Sequence, residues 1–117
     1  MQTQALQPVP VKRNDIGLWT HPVFDQYWEE KFGGAEGCSD DEWKEVLRHF
    51  DVVTCVVDME QDLPRDHEAY ISYFTEGNVD ISKWNPSTPA GEGWFLLSIS
   101  MTEDGPTACW VRHHKKV

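Results

Sequence analysis

The chain has 117 residues, of which 20 are Asp or Glu and 10 are Lys or Arg, giving a formal charge of −10 at pH 7. This length suits a single domain with one hydrophobic core. The aromatic content of 12%, which includes six tryptophans, argues against disorder because such side chains supply the apolar area that a core needs. The longest apolar stretches, Val52 to Val57 and Trp94 to Ile99, are far shorter than the roughly 20 residues of a membrane span, which predicts a soluble protein.

The negative charge is concentrated in the body of the chain. All 20 acidic residues lie between Asn14 and Trp110, with only five of the basic residues, so this segment carries a formal charge of −15. Such a charge repels nucleic-acid phosphates and anionic membranes, and it favours encounter with basic partners. We therefore expect neither direct nucleic-acid contact nor membrane contact.

The cysteines and the N-terminus indicate a reducing, cytoplasmic environment. Cys38, Cys55 and Cys109 form an odd set without a C-x-x-C pair, which fits neither a disulfide framework nor a zinc knuckle. The N-terminal residues contain no basic start followed by an apolar core, so a secretory signal is not expected.

The chain divides into a short arm and one domain. Residues 1–13 include Pro8 and Pro10 and show no periodicity, which is typical of an extended segment. The rest of the chain contains no repeat at any period. We predict an N-terminal arm over 1–13 and a single globular domain over 14–117.

The first predicted helix has clear start and stop signals. Thr20 or His21 is the cap, and Pro22 lies in the first turn, where a missing N–H costs nothing. Apolar residues follow at helical spacing until Gly33 and Gly34 end the run.

A capping box marks the second helix. Ser39 is the cap, and Glu42, three residues later, can accept a hydrogen bond from the Ser39 backbone N–H. This pattern predicts a helix over 39–50. Its apolar residues recur at i, i+3, i+4 and i+7, namely Trp43, Val46, Leu47 and Phe50.

Strands and a third helix are expected in the second half. The β-branched run Val52 to Val57 predicts a strand buried on both faces. A third helix is predicted over Asp66 to Glu76, and a short edge strand over Val79 to Trp84. Trp94 to Met101 and Thr107 to His113 flank a glycine-containing turn, which predicts a hairpin.

These elements sum to an α+β fold. The predicted order is α-α-β-α-(β)-β-β, with an antiparallel sheet of three to four strands and about three helices packed on one face.

Acidic side chains form clusters that suit a basic partner. On the second helix, Asp41, Glu42 and Glu45 share one edge, whereas Lys44 and Arg48 occupy the opposite flank. Spaced carboxylates on a rigid scaffold imitate a phosphate backbone or match a basic groove. Acids at a helix N-terminus also complement the helix dipole, and a solvated acidic face aids solubility, so a purely structural role stays open. Further acids lie outside the first helix at Asp25, Glu29 and Glu30, and others crowd the connection that contains Asp58, Glu60, Asp62, Asp66 and Glu68.

Two tryptophans bracket a proline-rich loop. Trp84 and Trp94 flank residues 85–91, and a tryptophan on a loop rim is a common interface anchor. The alternative is that both side chains simply cover the core.

The carboxylates after the predicted strand also raise the alternative of a metal-dependent enzyme. Asp58, Glu60 and Asp62 stand at alternate positions, as in several Mg²⁺ sites. The sequence contains no G-x-S-x-G, H-E-x-x-H or Walker-type motif. No catalytic residue, metal ligand or cofactor is therefore assigned.

Turn motifs and aromatic pairs cover a large part of the chain: Asp15 to Trp19, His21-Pro22, Tyr27-Trp28, Trp84 to Pro86, Pro89 to Ile99, Thr102 to Pro106 and Trp110 to Arg112. These motifs resemble small uncharacterised accessory proteins of lambdoid phages and enterobacterial prophages. The resemblance implies a phage-derived protein that modulates host or phage machinery in the cytoplasm of a bacterial host. It implies no active-site residues.

The leading hypothesis is a non-enzymatic interaction module that inhibits or modulates a nucleic-acid-handling or defence protein of the host. Its acidic surface would imitate nucleic acid and bind a basic surface of that protein. The alternatives are the small metal-dependent enzyme and a structural or self-associating module. The partner-binding residues expected on the leading hypothesis are Asp41, Glu42, Glu45, Asp58, Glu60, Asp62, Trp84 and Trp94.

Overall fold

The computed structural model describes residues 6–33, 38–102 and 105–113. The predicted α+β class with a small antiparallel sheet is confirmed. In chain order the elements are β1 (Trp19–Thr20), α1 (Pro22–Phe32), α2 (Asp40–Phe50), β2 (Val52–Asp58), α3 (Met59–Asp62), α4 (Glu68–Tyr70, continued by a π-helical turn over Ile71–Thr75), β3 (Phe95–Thr102) and β4 (Gly105–His113).

The four strands form one antiparallel sheet in the order β1-β3-β4-β2. The predicted hairpin is confirmed, since β3 pairs with β4 as far as Thr102 opposite Gly105. Residues 103–104 of the predicted turn lie outside the described residues. β2 pairs with β4 and lies at an edge of the sheet. The prediction that this strand is buried on both faces is wrong, because β-branched residues favour strands whether or not both faces are covered, and Val56 is 57% exposed.

Buried residues form two clusters on opposite faces of the sheet. On β4, Cys109 and Val111 belong to the first cluster, whereas Ala108 and Trp110 belong to the second. This alternation is the period of two of a strand with both faces covered. Helices α1 and α2 contribute to the first cluster, while α3 and α4 contribute to the second, so the helices divide between the faces instead of sharing one.

An irregularity in β3 changes which side chains face α1 and α2. The register shifts between Leu96 and Ser98, so Ser98 lies opposite Cys109 and Ser100 lies opposite Thr107. Cross-strand partners share a face of the sheet. Two serine hydroxyls therefore lie on the face of the first cluster, where an unbroken strand would have continued the alternation of Phe95 and Leu97.

The two predicted N-terminal helices are confirmed, and their caps explain their starts. At α2, Ser39 Oγ accepts from the Glu42 N–H (3.1 Å), and Glu42 Oε1 accepts from the Ser39 N–H (2.8 Å). At α1, the cap is His21, whose Nδ1 accepts from the Val23 N–H (3.2 Å). Nε2 of the same ring therefore carries the hydrogen and donates it to the Gln7 carbonyl (2.7 Å).

The third helix starts later and ends earlier than predicted. It starts at Glu68, where the His67 ring Nδ1 accepts from the Ala69 N–H (3.0 Å) and so serves as the cap. From Ile71 the helix continues as a π-helical turn, which ends before Gly77.

The edge strand predicted over Val79 to Trp84 is wrong, because side chains capture the backbone N–H groups that a strand needs. Asn78 Oδ1 accepts from the Asp80 N–H (3.0 Å), and Asp80 Oδ1 accepts from the Ser82 N–H (2.9 Å). Such local bonds stabilise turns in competition with sheet pairing. The resulting loop carries Ile81 and Trp84 into the second cluster.

The described part of the predicted arm packs against the domain. Residues 6–13 contain no helix or strand, yet Leu6 is fully buried in the first cluster. The Leu6 carbonyl lies 2.7 Å from His113 Nε2, and Arg13 donates to carbonyls of the loop that carries Ile81. This segment therefore contributes to the core of the domain.

Across the described ranges, no helix combines the length and the apolar character needed to cross a membrane.

Candidate functional site

The candidate site lies on the side of the sheet covered by α1 and α2. The two helices meet through aromatic rings: the Phe24 ring centroid lies 6.2 Å from that of Trp43 and 6.2 Å from that of Phe50. Because the apolar side chains of both helices are used in this contact, their carboxylates point to solvent. The helix pair thus presents a rigid acidic surface.

The predicted acidic edge of α2 is exposed, but its three carboxylates differ in their contacts. Asp41, Glu42 and Glu45 are all exposed. Glu42 belongs to the capping box, and Glu45 lies 3.6 Å from Lys31 of α1. Asp41 has no ion pair with any described residue. Asp41 is therefore the carboxylate of this edge that is best placed to meet an external cation.

The carboxylates after β2 do not converge. Asp58 is half-buried and accepts from the Thr107 hydroxyl (3.3 Å), whereas Glu60 is exposed on α3. Asp62 Oδ2 accepts from Trp84 Nε1 (2.9 Å) and from the Ser87 N–H (3.1 Å). Within the part of the chain that the structure describes, no three His, Cys, Asp or Glu side chains group to hold a metal ion. The metal-dependent alternative thus finds no geometric support at these residues.

Asp62 is structural, and its hydrogen bonds perturb its pKa. Partial burial acts to raise the Asp62 pKa, but the hydrogen bonds from Ser87 and Trp84 outweigh burial and leave the pKa below its ordinary value. The carboxylate tethers the loop after Trp84 to the end of α3.

We expect Asp62→Ala to lower the free energy of unfolding by about 1–3 kcal/mol, because the buried indole N–H of Trp84 loses its acceptor. Asp62→Asn keeps an oxygen acceptor and should cost less. Since the folded-state pKa is depressed, the charge stabilises the fold above the unfolded pKa of about 3.9. The difference between wild type and Asp62→Asn should therefore shrink as the pH falls below about 4, measured by urea unfolding. A difference that stays constant through this range would contradict the assignment.

The two tryptophans proposed as interface anchors have structural contacts. Trp84 is fully buried in the second cluster, which removes it from any binding surface. Trp94 is half-buried; its Nε1 donates to the Ala90 carbonyl (3.0 Å), and the guanidinium of Arg112 lies 4.6 Å from its ring centroid. Trp84 thus covers the core, as the alternative interpretation held, whereas Trp94 packs against the second cluster and keeps part of its surface exposed, so its role as an anchor stays a prediction.

A pocket of about 350 Å³ opens between α1, α2 and the sheet. Its walls are aromatic, since Phe24, Trp28 and Trp43 line it. Its floor is formed by the sheet, and one carboxylate, Asp25, stands at its rim. The floor residues are Thr20, Leu97, Ser98, Ser100 and Cys109.

The sequence did not predict this pocket. Phe24, Trp28 and Trp43 have the spacing of core residues, and Asp25 has that of an outer-face acid. The sequence contains one local indication of the pocket. Asp25 directly follows the core residue Phe24, on a helix whose apolar arc is wide. Only the crossing of the two helices over the sheet brings the rings and the carboxylate together.

Comparison of the chain with protein-family models, with curated proteins and with solved structures gave no match.

Proposed function

We propose that this protein is an acidic protein–protein interaction module that binds a basic surface of a nucleic-acid-handling protein and blocks it. The surface that would bind is the acidic face of α1 and α2. On the resemblance to phage accessory proteins, the proposed target belongs to a bacterial host.

One observation carries the proposal: the carboxylates of the α1–α2 face are exposed and mostly not neutralised. On this face Glu45 pairs with Lys31 at 3.6 Å. That pair is exposed, so it screens little of the local field. The exposed acids of the face are Asp25, Glu29, Glu30, Asp40, Asp41, Glu42 and Glu45.

The rigidity of the face supports a role in recognition. Both helices are held by caps and by aromatic contacts to the first cluster, so the backbone positions that carry the carboxylates keep fixed spacings. Fixed charges steer encounter and select partners of complementary potential, whereas charges on a flexible tail do neither as well.

The direct test is charge reversal of the acidic edge. We expect Asp41→Lys with Glu45→Lys to lower affinity for the partner roughly 100-fold or more, because two attractive contacts become repulsive. The partner is first isolated by pull-down from bacterial lysate at low salt, and affinity is then measured by calorimetry. Added salt should weaken binding of the wild type steeply.

A matched control separates local recognition from net charge. Glu76→Lys with Glu92→Lys changes the charge by the same amount on exposed residues that lie outside α1, α2 and the acidic connection after β2. This control should bind nearly as tightly as the wild type. Equal losses in the two double variants, or binding that is insensitive to salt, would contradict the proposal. The partner's binding to nucleic acid should be competed by the wild type.

A further inference from the structure

The pocket between α1, α2 and the sheet has walls suited to a flat group. Phe24 and Trp43 meet edge to face, with ring centroids 6.2 Å apart and planes at 85°. Trp28 is tilted by 42° against Phe24 at 5.8 Å. Trp28 and Trp43 are both half-buried, so part of each indole faces the pocket and not the core. Aromatic faces attract cations through the ring quadrupole, and tryptophan does so best.

The remaining lining adds hydrogen-bond acceptors. Ser98 and Ser100 line the pocket because the irregularity in β3 places them on this face of the sheet, and the exposed Asp25 also lines it. Cys109 is held on the floor by a contact of its Sγ with Thr54 Oγ1 at 3.4 Å. The thiol is buried, and burial raises its pKa, so it stays protonated and uncharged. The polar part of the lining therefore favours a donor-rich ligand.

Charge decides between a neutral and a cationic occupant. A neutral group covering the rim would desolvate Asp25 without compensation, which is costly. A cation instead pairs with that carboxylate, and the acids of the surrounding face lower its energy further. The volume of about 350 Å³ lies at the small end of the range for ligand pockets, which suits one side chain and not an extended peptide.

We propose that this pocket receives the guanidinium group of an arginine side chain from a basic partner. The guanidinium is planar, stacks on aromatic faces and carries five N–H donors, which matches indole walls, serine hydroxyls and one carboxylate. Lysine offers a point charge without a plane to stack. The inference rests on the proposed function and deepens it: the acidic face attracts the partner, and the pocket supplies the anchor.

The test uses the full chain and defined peptides. Indole N–H signals are followed by NMR during titration with an acetylated, amidated Gly-Arg-Gly peptide and with the same peptide containing citrulline, the neutral isostere of arginine. We expect the arginine peptide to shift the Trp28 and Trp43 signals and to bind about tenfold or more tightly than the citrulline peptide. A lysine peptide should also bind more weakly than the arginine peptide. Equal binding of arginine and citrulline, or of arginine and lysine, would overturn the assignment.

Variants localise the effect. Asp25→Asn keeps the size of the side chain and should weaken binding of the arginine peptide about tenfold. Glu29→Gln removes one charge from the same acidic face, outside the pocket lining, and should weaken binding only about twofold, because it acts through the general field alone. Equal effects of the two variants would show that only the general field acts and would overturn the pocket proposal.

These results are separable from those of the proposed function. If the isolated partner binds with steep salt dependence but Asp25→Asn does not weaken it beyond Glu29→Gln, the interaction module stands and the arginine pocket fails. If the arginine peptide binds as expected but no basic partner is captured, the pocket stands and the proposed function fails.

Discussion

Replacement of Gly17 by alanine is expected to lower the free energy of unfolding by about 3 kcal/mol or more. Gly17 has φ of +90°, and an added Cβ would lie 2.6 Å from the Ser82 backbone nitrogen and 2.8 Å from the Ile81 carbonyl carbon. The positive φ alone costs roughly 1–2 kcal/mol for an L-residue. The clash is with backbone, so relief requires the two segments to separate and the Ile81 N–H bond to the Ile16 carbonyl (2.8 Å) to break.

Gly77→Ala is the matched control for this prediction. Gly77 also has positive φ, at +75°, but an added Cβ would meet no atom within 4 Å. Gly77→Ala should lower the free energy of unfolding by about 1–2 kcal/mol, since only the backbone conformation is strained. Urea unfolding followed by tryptophan fluorescence measures both variants. Similar losses at the two positions would show that the close approach at Gly17 contributes nothing.

The second large effect is expected at Arg13, which fastens the N-terminal segment to the same loop. Its guanidinium donates to the carbonyls of Gly17, Ile81 and Trp84. Burial lowers the Arg13 pKa, and nearby Asp80 opposes that shift, so the group stays charged at neutral pH. We expect Arg13→Ala to lower the free energy of unfolding by about 2–4 kcal/mol, because three carbonyls lose a charged donor.

Two further variants separate the effect of the Arg13 hydrogen bonds from the effect of its charge. Lys12→Ala removes an exposed charge beside it and should change stability by less than about 0.5 kcal/mol. Arg13→Lys keeps the charge but cannot reach three carbonyls with one ammonium, so its loss should be intermediate. A loss for Arg13→Lys as small as that for Lys12→Ala would contradict the hydrogen-bonded clamp. Because Gly17 and Arg13 share contacts, their effects should not add.

Both predictions concern the contact between the N-terminal segment and a loop that is distant in the sequence. Gly17 and Arg13 contact the loop at Ile81 and Trp84, which covers the face of the sheet opposite α1 and α2. This contact supports the candidate site indirectly, since the N-terminal segment also supplies Leu6 to the first cluster and the Gln7 carbonyl to the cap of α1.

Local signals were sufficient for the two N-terminal helices and for the hairpin, whereas β1, which pairs with the distant β3, was not predicted. The capping box at Ser39 and Glu42 acts within one turn of helix, so its outcome depends on no distant residue. The same holds for Pro22 in the first turn of α1 and Gly33 at its C-cap. The hairpin of β3 and β4 likewise joins adjacent strands.

Features that depend on contacts between residues far apart in the chain were not predicted from the sequence. Nothing local distinguishes an edge strand from a central one, so β2 was assigned to the interior, and its exposed Val56 reveals the edge. The Val79 to Trp84 segment has strand-like spacing, but Asn78 and Asp80 close turns, and contacts with Ile16 and Arg13 hold it. Its burial results from those distant contacts.

The candidate site shows the same division. By itself, the sequence determined the acidic excess, the helix that carries Asp41, Glu42 and Glu45 on one edge, and the α+β class, because charge count, capping and periodicity act within a few residues. Only the tertiary structure decided that Trp84 is buried and that Asp62 holds it. It also decided that two tryptophans, two serines and Asp25 from three separate elements meet around one pocket. The physical reason is that packing brings together side chains far apart in the chain, and no local pattern records which of them will meet.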